Sequence, residues 1–255
     1  MLLAIDVGNT NIHFGLWDGS DWSLTWRART VPLKMSDEYA VLLRSFFAGD
    51  GLTANVVDAV VMASVVPDVT GTMIEMAERY LKHRPLIIEP GIKTGIQVLV
   101  DNPREVGADR IVNAAAVRKL YGAPAIVIDF GTATTWDVLN KDGNYIGGAI
   151  APGIALAHDA LVSKAARLVK VDLVAPPSVI GHNTIHAMQS GLFLGYVAMI
   201  EGLVARMRSE LNDPQAKVIA TGGLAPLFAE QTQTIDLIAP NLTLDGLRII
   251  WEANQ

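Results

Sequence analysis

The sequence predicts an α/β protein of two similar lobes, each a mixed sheet that opens with three antiparallel strands and continues into flanking helices. Three observations carry this expectation. The apolar run Leu2-Leu3-Ala4-Ile5 stops on Asp6, and Val7-Gly8-Asn9-Thr10-Asn11 then breaks into a small polar turn. The same figure returns as Ala125-Ile126-Val127-Ile128, Asp129 and Phe130-Gly131-Thr132. Both copies lead into alternating apolar runs joined at an Asp-Gly pair, and strands followed by helices, twice over, point to two α/β units.

In the first half, Ile12, Phe14 and Leu16 alternate with their neighbours, Asp18-Gly19 turns the chain, and Trp22, Leu24, Trp26 and Ala28 alternate again. Helical spacing follows from Ser36 to Phe47 with Ser36 as the N-cap. Ala59 to Val66 reads as a buried strand stopped by Pro67, Asp68 to Lys82 as a helix, and Pro85 to Glu89 as a strand. A short strand is expected around Ile96 to Val100, then one helix from Arg104 to Leu120, closed by Gly122 and Pro124.

The second half repeats the opening: a strand to Asp129, a strand from Thr134 to Leu139, a turn at Asp142-Gly143 and a strand from Asn144 to Ile150. Ala155 to Leu168 is expected to be helical. Asn183 caps a long helix to about Leu211, bent near Gly191, Gly195 or Gly202. Lys217 to Ala220 is a strand ending in Thr221-Gly222-Gly223, and a closing helix spans Leu244 to Glu252. The expected lobes are 1–122 and 123–255, with the boundary after the helix that ends at Tyr121.

Composition narrows the function classes. Half of the 255 residues are hydrophobic, enough for a large core, and the formal charge is −6 without a long basic run. Nonspecific nucleic-acid binding lacks its electrostatic footprint. With no cysteine, disulfides, thiolate metal sites and a thiol nucleophile are excluded. The apolar N-terminus is interrupted by Asp6 and has no basic flank, so it reads as a strand. Uncharged apolar stretches such as Gly191 to Ile200 fall short of the ~18 residues of a membrane span. The expectation is a soluble cytoplasmic protein.

A strand that delivers Asp6 to its tip, with Gly8, Asn9 and Thr10 offering short side chains and exposed amides, suits a phosphate and its metal. Two copies suggest two loops serving one phosphate chain in a nucleotide cleft between lobes. The usual phosphate loop, Gly-x4-Gly-Lys-Ser/Thr, is absent, and no Gly-x-Gly-x-x-Gly follows a strand. What remains resembles the actin-like ATPase (ribonuclease H-like) group, which includes acetate and sugar kinases and uses two such turns for phosphates and a late Gly-Gly pair for adenosine. Gly222 and Gly223 stand in the matching place.

Within that group, Asp101-Asn102-Pro103-Arg104-Glu105-Val106-Gly107-Ala108-Asp109-Arg110 resembles the substrate motif of the type III pantothenate kinases. Together with the turns at Asp6 and Asp129 the likeness covers essentially the whole chain. It implies ATP-dependent phosphorylation of the primary hydroxyl of pantothenate, the first step towards coenzyme A, by a cytoplasmic homodimer that uses Mg²⁺ and a monovalent cation, K⁺ or NH₄⁺. By the same likeness, the run Asp6, Val7, Gly8, Asn9, Thr10, Asn11, Ile12 and His13 contacts ATP together with Thr132. Asp6 holds Mg²⁺ through water, and Asp129 holds the monovalent ion, although the residues themselves equally fit a second water-mediated Mg²⁺ contact there.

Asp109 is the expected catalytic base. Glu105 and Asp109 are spaced four apart, a like-charge pair that hints at a carboxylate facing a cleft if both lie on one helix. Gly107 and Ala108 admit the substrate close to the backbone, and Arg110 meets its carboxylate with a planar fork. Thr184 matches a substrate position, and Val100 stands where many relatives are expected to carry tyrosine, so a hydroxyl contact is missing or replaced there. His182 and His186 are four apart, but no third ligand for zinc is evident. The alternatives are another small-molecule kinase of the same superfamily and a non-enzymatic ATP-dependent regulator.

Overall fold

A computed structural model describes all residues, 1–255. The chain divides into two compact units: Met1–Tyr121 with Asn241–Gln255, and Gly122–Pro240.

The first unit is built on β1 (Leu2–Val7), β2 (Asn11–Trp17), β3 (Trp22–Arg29), β4 (Ala59–Ser64) and β5 (Leu86–Ile87), in the sheet order β3-β2-β1-β4-β5. The first three strands are antiparallel, and β4 and β5 add in parallel. Because β1 is central, both its faces are buried, which explains its continuous apolar run. Leu3, Ile5 and Val7 pack on α1 (Ser36–Gly49) and α2 (Pro67–Met76) through Tyr39, Leu43, Phe47 and Met73. Leu2 and Ala4 face the other way, into a cluster shared with Val112 and Ala115 of α3 (Ala108–Leu120) and with the closing helix.

The second unit repeats the plan with β6 (Ala125–Phe130), β7 (Ala133–Leu139), β8 (Tyr145–Pro152), β9 (Lys217–Thr221) and β10 (Leu237–Ile238), in the order β10-β9-β6-β7-β8. Strand for strand this is the first sheet again, so the duplication expected from Asp6 and Asp129 holds at the level of topology. Helix α4 (Ile154–Lys164) follows β8. Asn183 caps α5 (Thr184–Gln189), its Oδ1 accepting the His186 N–H at 2.9 Å. A wider π-turn over Ser190–Leu194, beginning beside Gly191, joins α5 to α6 (Gly195–Glu210). Phe193, Tyr196, Ile200 and Val204 pack against β6 and β7 and against Phe228 of the short α7 (Ala225–Ala229).

Several expectations need correction. Met35, not Ser36, is the N-cap of α1. The predicted helix from Arg104 begins instead at Ala108, because Gly107 has an extended ψ of 142° and serves as its N-cap, and Pro103–Glu105 forms a separate 3-10 turn. Glu105 and Asp109 therefore do not share a helix face, and Glu105 accepts a hydrogen bond from Asn102 Nδ2 at 2.6 Å. The strand expected at Ile96 to Val100 reduces to an isolated bridge at Val98. The closing helix α8 (Leu242–Glu252), expected in the lobe 123–255, belongs to the first unit. Its Leu244, Leu247 and Ile250 bury against Leu2, Ala4 and Val112, and Asp245 accepts from Trp22 Nε1 at 2.8 Å. Gly15 makes room for it: a Cβ there would lie 2.7 Å from Leu244.

By length and composition, the continuous helical run Thr184–Glu210 is long and apolar enough to cross a membrane. Glu201 interrupts the uncharged sequence without ending the helix, so the helical run is longer than the uncharged stretch Gly191 to Ile200 suggests. Its apolar face is the core of the second unit.

Candidate active site

The turn after β1 is fixed from both sides. Gly8 N–H donates to Asn11 O at 3.0 Å, and Thr30, at the end of β3, donates its hydroxyl to Gly8 O at 2.6 Å and its N–H to Thr10 O at 2.9 Å. Asn9, Thr10 and Asn11 are exposed, whereas Val7 and Ile12 are in the core and can offer a ligand only backbone. Thr30 was not singled out from the sequence. Its distance along the chain hides a contact that the β2–β3 pairing creates.

Asp6 is half-buried and lies directly across from His13, which in turn lies across from Arg27. Residues opposite one another in an antiparallel pair project from the same face. Burial, aided by the Arg27 charge, pushes His13 down to about 4, so its ring is neutral at physiological pH.

Helix α3 starts on the same face of the sheet. An added Cβ on Gly107 would lie 2.5 Å from Asp109 Oδ1 and 3.5 Å from Val65, the residue just beyond β4. The Asp109 carboxylate therefore folds back over Gly107, near the ends of β1 and β4, and accepts the Arg110 N–H at 2.8 Å. Burial raises its pKa above the usual carboxylate value, against the Arg110 N–H and guanidinium, which lower it. A carboxylate so placed is a better proton acceptor than an exposed one.

On another side of the same motif, Ala108 and Ile111 join Pro103, Arg104 and Val106 around a cavity of about 300 Å³. Val100 is half-buried in the preceding loop.

In the second unit, Gly131 N–H donates to Ala133 O at 3.0 Å, and Thr132 is exposed at the tip. Gly153, the N-cap of α4, packs so tightly on Gly131 O and Thr132 O that a Cβ could not be accommodated, and its N–H donates to Thr132 O at 2.9 Å. Asp129 sits across from Thr221 of β9. Beyond it, Gly222 has φ +89°, and a Cβ there would lie 2.8 Å from Asp129 Oδ1, whereas Gly223 is open. Without a Cβ, Gly222 packs against both the Asp129 carboxylate and the Phe130 carbonyl, and a carboxylate beside a backbone carbonyl is a donor set that fits a weakly hydrated monovalent cation. At Asp6 the donors are one carboxylate and an exposed polar turn, which fits Mg²⁺ that keeps most of its water.

Thr184 is exposed at the start of α5 and lines an open recess of about 650 Å³ with Leu161, His182, Asn183 and Met188. No group of three or more His, Asp or Glu side chains gathers as a metal cluster, and His186 Nδ1 lies 3.2 Å from Asn183 Nδ2.

A profile of the family described as type III pantothenate kinase matches residues 2–206. Proteins named type III pantothenate kinase from Moorella thermoacetica and Myxococcus xanthus are 51% and 49% identical to this chain, covering all of it and 100% and 99% of their own lengths. Among solved structures, a Campylobacter jejuni protein assigned to the Baf family of transcriptional activators superposes with a TM-score of 0.64 at 18% identity, covering 99% of this chain and 98% of its own. An inorganic polyphosphate/ATP-glucomannokinase from Arthrobacter superposes with a TM-score of 0.51 at 15% identity, covering 100% of this chain and 99% of its own. At such identities these two likenesses carry the fold, which is that of the actin-like ATPases and sugar kinases.

Proposed function

The chain belongs to the type III pantothenate kinase family, and on that premise we propose how its residues carry out the reaction. The enzyme uses ATP to phosphorylate the primary hydroxyl of pantothenate, giving 4'-phosphopantothenate on the route to coenzyme A.

Asp109 receives the hydroxyl proton. The supporting observation is a carboxylate folded over Gly107 at the start of α3, with its pKa raised by burial. Phosphoryl transfer runs through a loose transition state, so the base has to align the alcohol and take its proton late rather than generate an alkoxide. Arg110 takes the pantothenate carboxylate, with Gly107, Ala108, Val100 and Thr184 completing the substrate contacts.

Amides and side chains of the Asp6 to His13 run take phosphate oxygens, joined by Thr132, and Gly222 and Gly223 pass the adenosine. Asp6 would hold Mg²⁺ through water and Asp129 K⁺ or NH₄⁺. A divalent ion held there would supply positive charge against the phosphate chain. We also place the enzyme in the cytoplasm as a homodimer. Support for the dimer comes from apolar residues left exposed on the second unit, among them Ile150, Val179 and Ile180, at 66%, 73% and 74% exposure.

A coupled ADP-release assay with pantothenate, run with and without K⁺, tests this reading. Asp109→Asn is expected to lower kcat by roughly 10²- to 10⁴-fold, the range of a general base, while equilibrium binding of ATP stays within about twofold. Parent-like turnover in Asp109→Asn would remove the base from Asp109.

A further inference from the structure

The strand register places a cation beside the phosphate turn that the motifs do not include. Asp6 of β1, His13 of β2 and Arg27 of β3 form one row across three strands. Side chains in such a row share a face, and here it is the face on which α3 and Asp109 lie. Helix α8 covers this face one row further down, where Leu244 sits on Gly15 and Gly15 pairs with Ala4 and Thr25. Arg27 is left exposed, with Arg29 on the same face across from Asn11, the residue that closes the turn. At the usual strand spacing the Arg27 backbone lies about 10 Å from that of Asp6, a gap that an extended arginine largely spans.

We propose that Arg27 is a nucleotide-binding residue, its guanidinium reaching over His13 to the phosphate chain held at the Asp6 turn. The proposal rests on the reading that this turn takes phosphate. The chemistry is complementary: a polyphosphate needs fixed positive charge in a protein of net charge −6 whose motifs bring Asp6 and Asp109 to this face. A planar guanidinium binds two phosphate oxygens at once. Thr30, three residues on in the chain, ties the end of β3 to the turn, so the strand that carries Arg27 moves with the phosphate site.

The competing role for an exposed arginine on β3 is edge protection, since β3 is the outer strand of its sheet. Three variants of the full-length enzyme separate the possibilities. Arg27→Met is expected to raise the KM for ATP about 10- to 100-fold, the worth of a charge-assisted hydrogen bond, while the KM for pantothenate stays within twofold and the melting temperature is unchanged. Arg27→Lys should recover part of the loss. Arg44→Met removes the same charge from α1, on the opposite face, and should leave both KM values alone. An unchanged KM for ATP in Arg27→Met, with or without lost solubility, overturns the proposal. If Asp6→Asn also leaves nucleotide binding and Mg²⁺ dependence unchanged, the phosphate reading of the turn fails as well; if Asp6→Asn weakens them, the failure is confined to Arg27.

Discussion

Gly222→Ala is the perturbation whose cost can be worked most directly. The residue has φ +89°, and a Cβ would lie 2.6 Å from Phe130 O, 2.7 Å from Phe130 N and 2.8 Å from Asp129 Oδ1. Two of these are backbone atoms of β6, which is paired to β9 on one side and β7 on the other and cannot yield without loosening the sheet. The left-handed conformation costs an alanine about 1–2 kcal/mol, and forcing a methyl into packed surroundings adds about 1–3 kcal/mol. Together they take about 2–5 kcal/mol from a total of about 5–15 kcal/mol. At roughly 2–4 °C per kcal/mol for a chain of this size, the melting temperature falls by about 4–20 °C. Gly223→Ala is the matched control, since nothing lies within 4 Å of its added methyl, and it should stay within about 0.5 kcal/mol of the parent. Thermal unfolding followed by circular dichroism reads both. A Gly222→Ala protein that melts with the parent would refute the steric reasoning, and one that melts low while Gly223→Ala does the same would show that the turn, not the contact, is responsible.

Other outcomes follow from the same geometry. Gly107→Ala keeps an allowed backbone, with φ −57° and ψ 142°, but its methyl meets the carboxylate end of Asp109, which can swing aside at the cost of its hydrogen bond from Arg110 N–H. Stability should hold while kcat falls by on the order of 10-fold or more; an unchanged kcat would show that the carboxylate's resting position is irrelevant. The pH profile carries a sign. Asp109 must be ionised to act and its pKa is raised by burial, so kcat/KM should fall as pH drops through that raised value, with an acid limb above 3.8 that disappears in Asp109→Asn. Linkage gives the stability side. A raised carboxylate favours the fold below its unfolded pKa, and that contribution is lost as pH rises through the folded value. Asp109→Asn should thus melt no lower than the parent at neutral pH, and a clear drop there would contradict the burial argument.

Much of the fold could be read from the chain because it is written in local patterns. The two central strands announce themselves by apolar runs that end on Asp6 and Asp129, and the hairpins by alternation and Asp-Gly turns. What stayed hidden depends on partners far along the chain. Apolar periodicity runs smoothly from Arg104 to Leu120, and only the backbone of Gly107 shows where the helix starts. The amphipathic pattern of α8 says that one side is buried but not against which sheet, and β10, two residues long, has no pattern at all. The same division applies to the site. Asp6, Asp109 and Thr132 belong to local motifs, whereas Thr30 and Arg27 reach the phosphate turn only through the pairing of β3 with β2.

The placement of α8 has a consequence for how the protein is made. The first unit needs residues 241–255 to cover Leu2, Ala4, Val61 and Val112. At ribosomal speeds of about 5–20 residues per second, that apolar face waits on the order of ten seconds or more after α3 has been synthesised, while the whole second unit emerges. All the strands and helices of the intervening unit, Gly122–Pro240, are synthesised before α8. A chain lacking residues 241–255 would therefore keep every element of the second unit and leave the first one open. The damage from losing the last residues would appear at the strand where the chain begins.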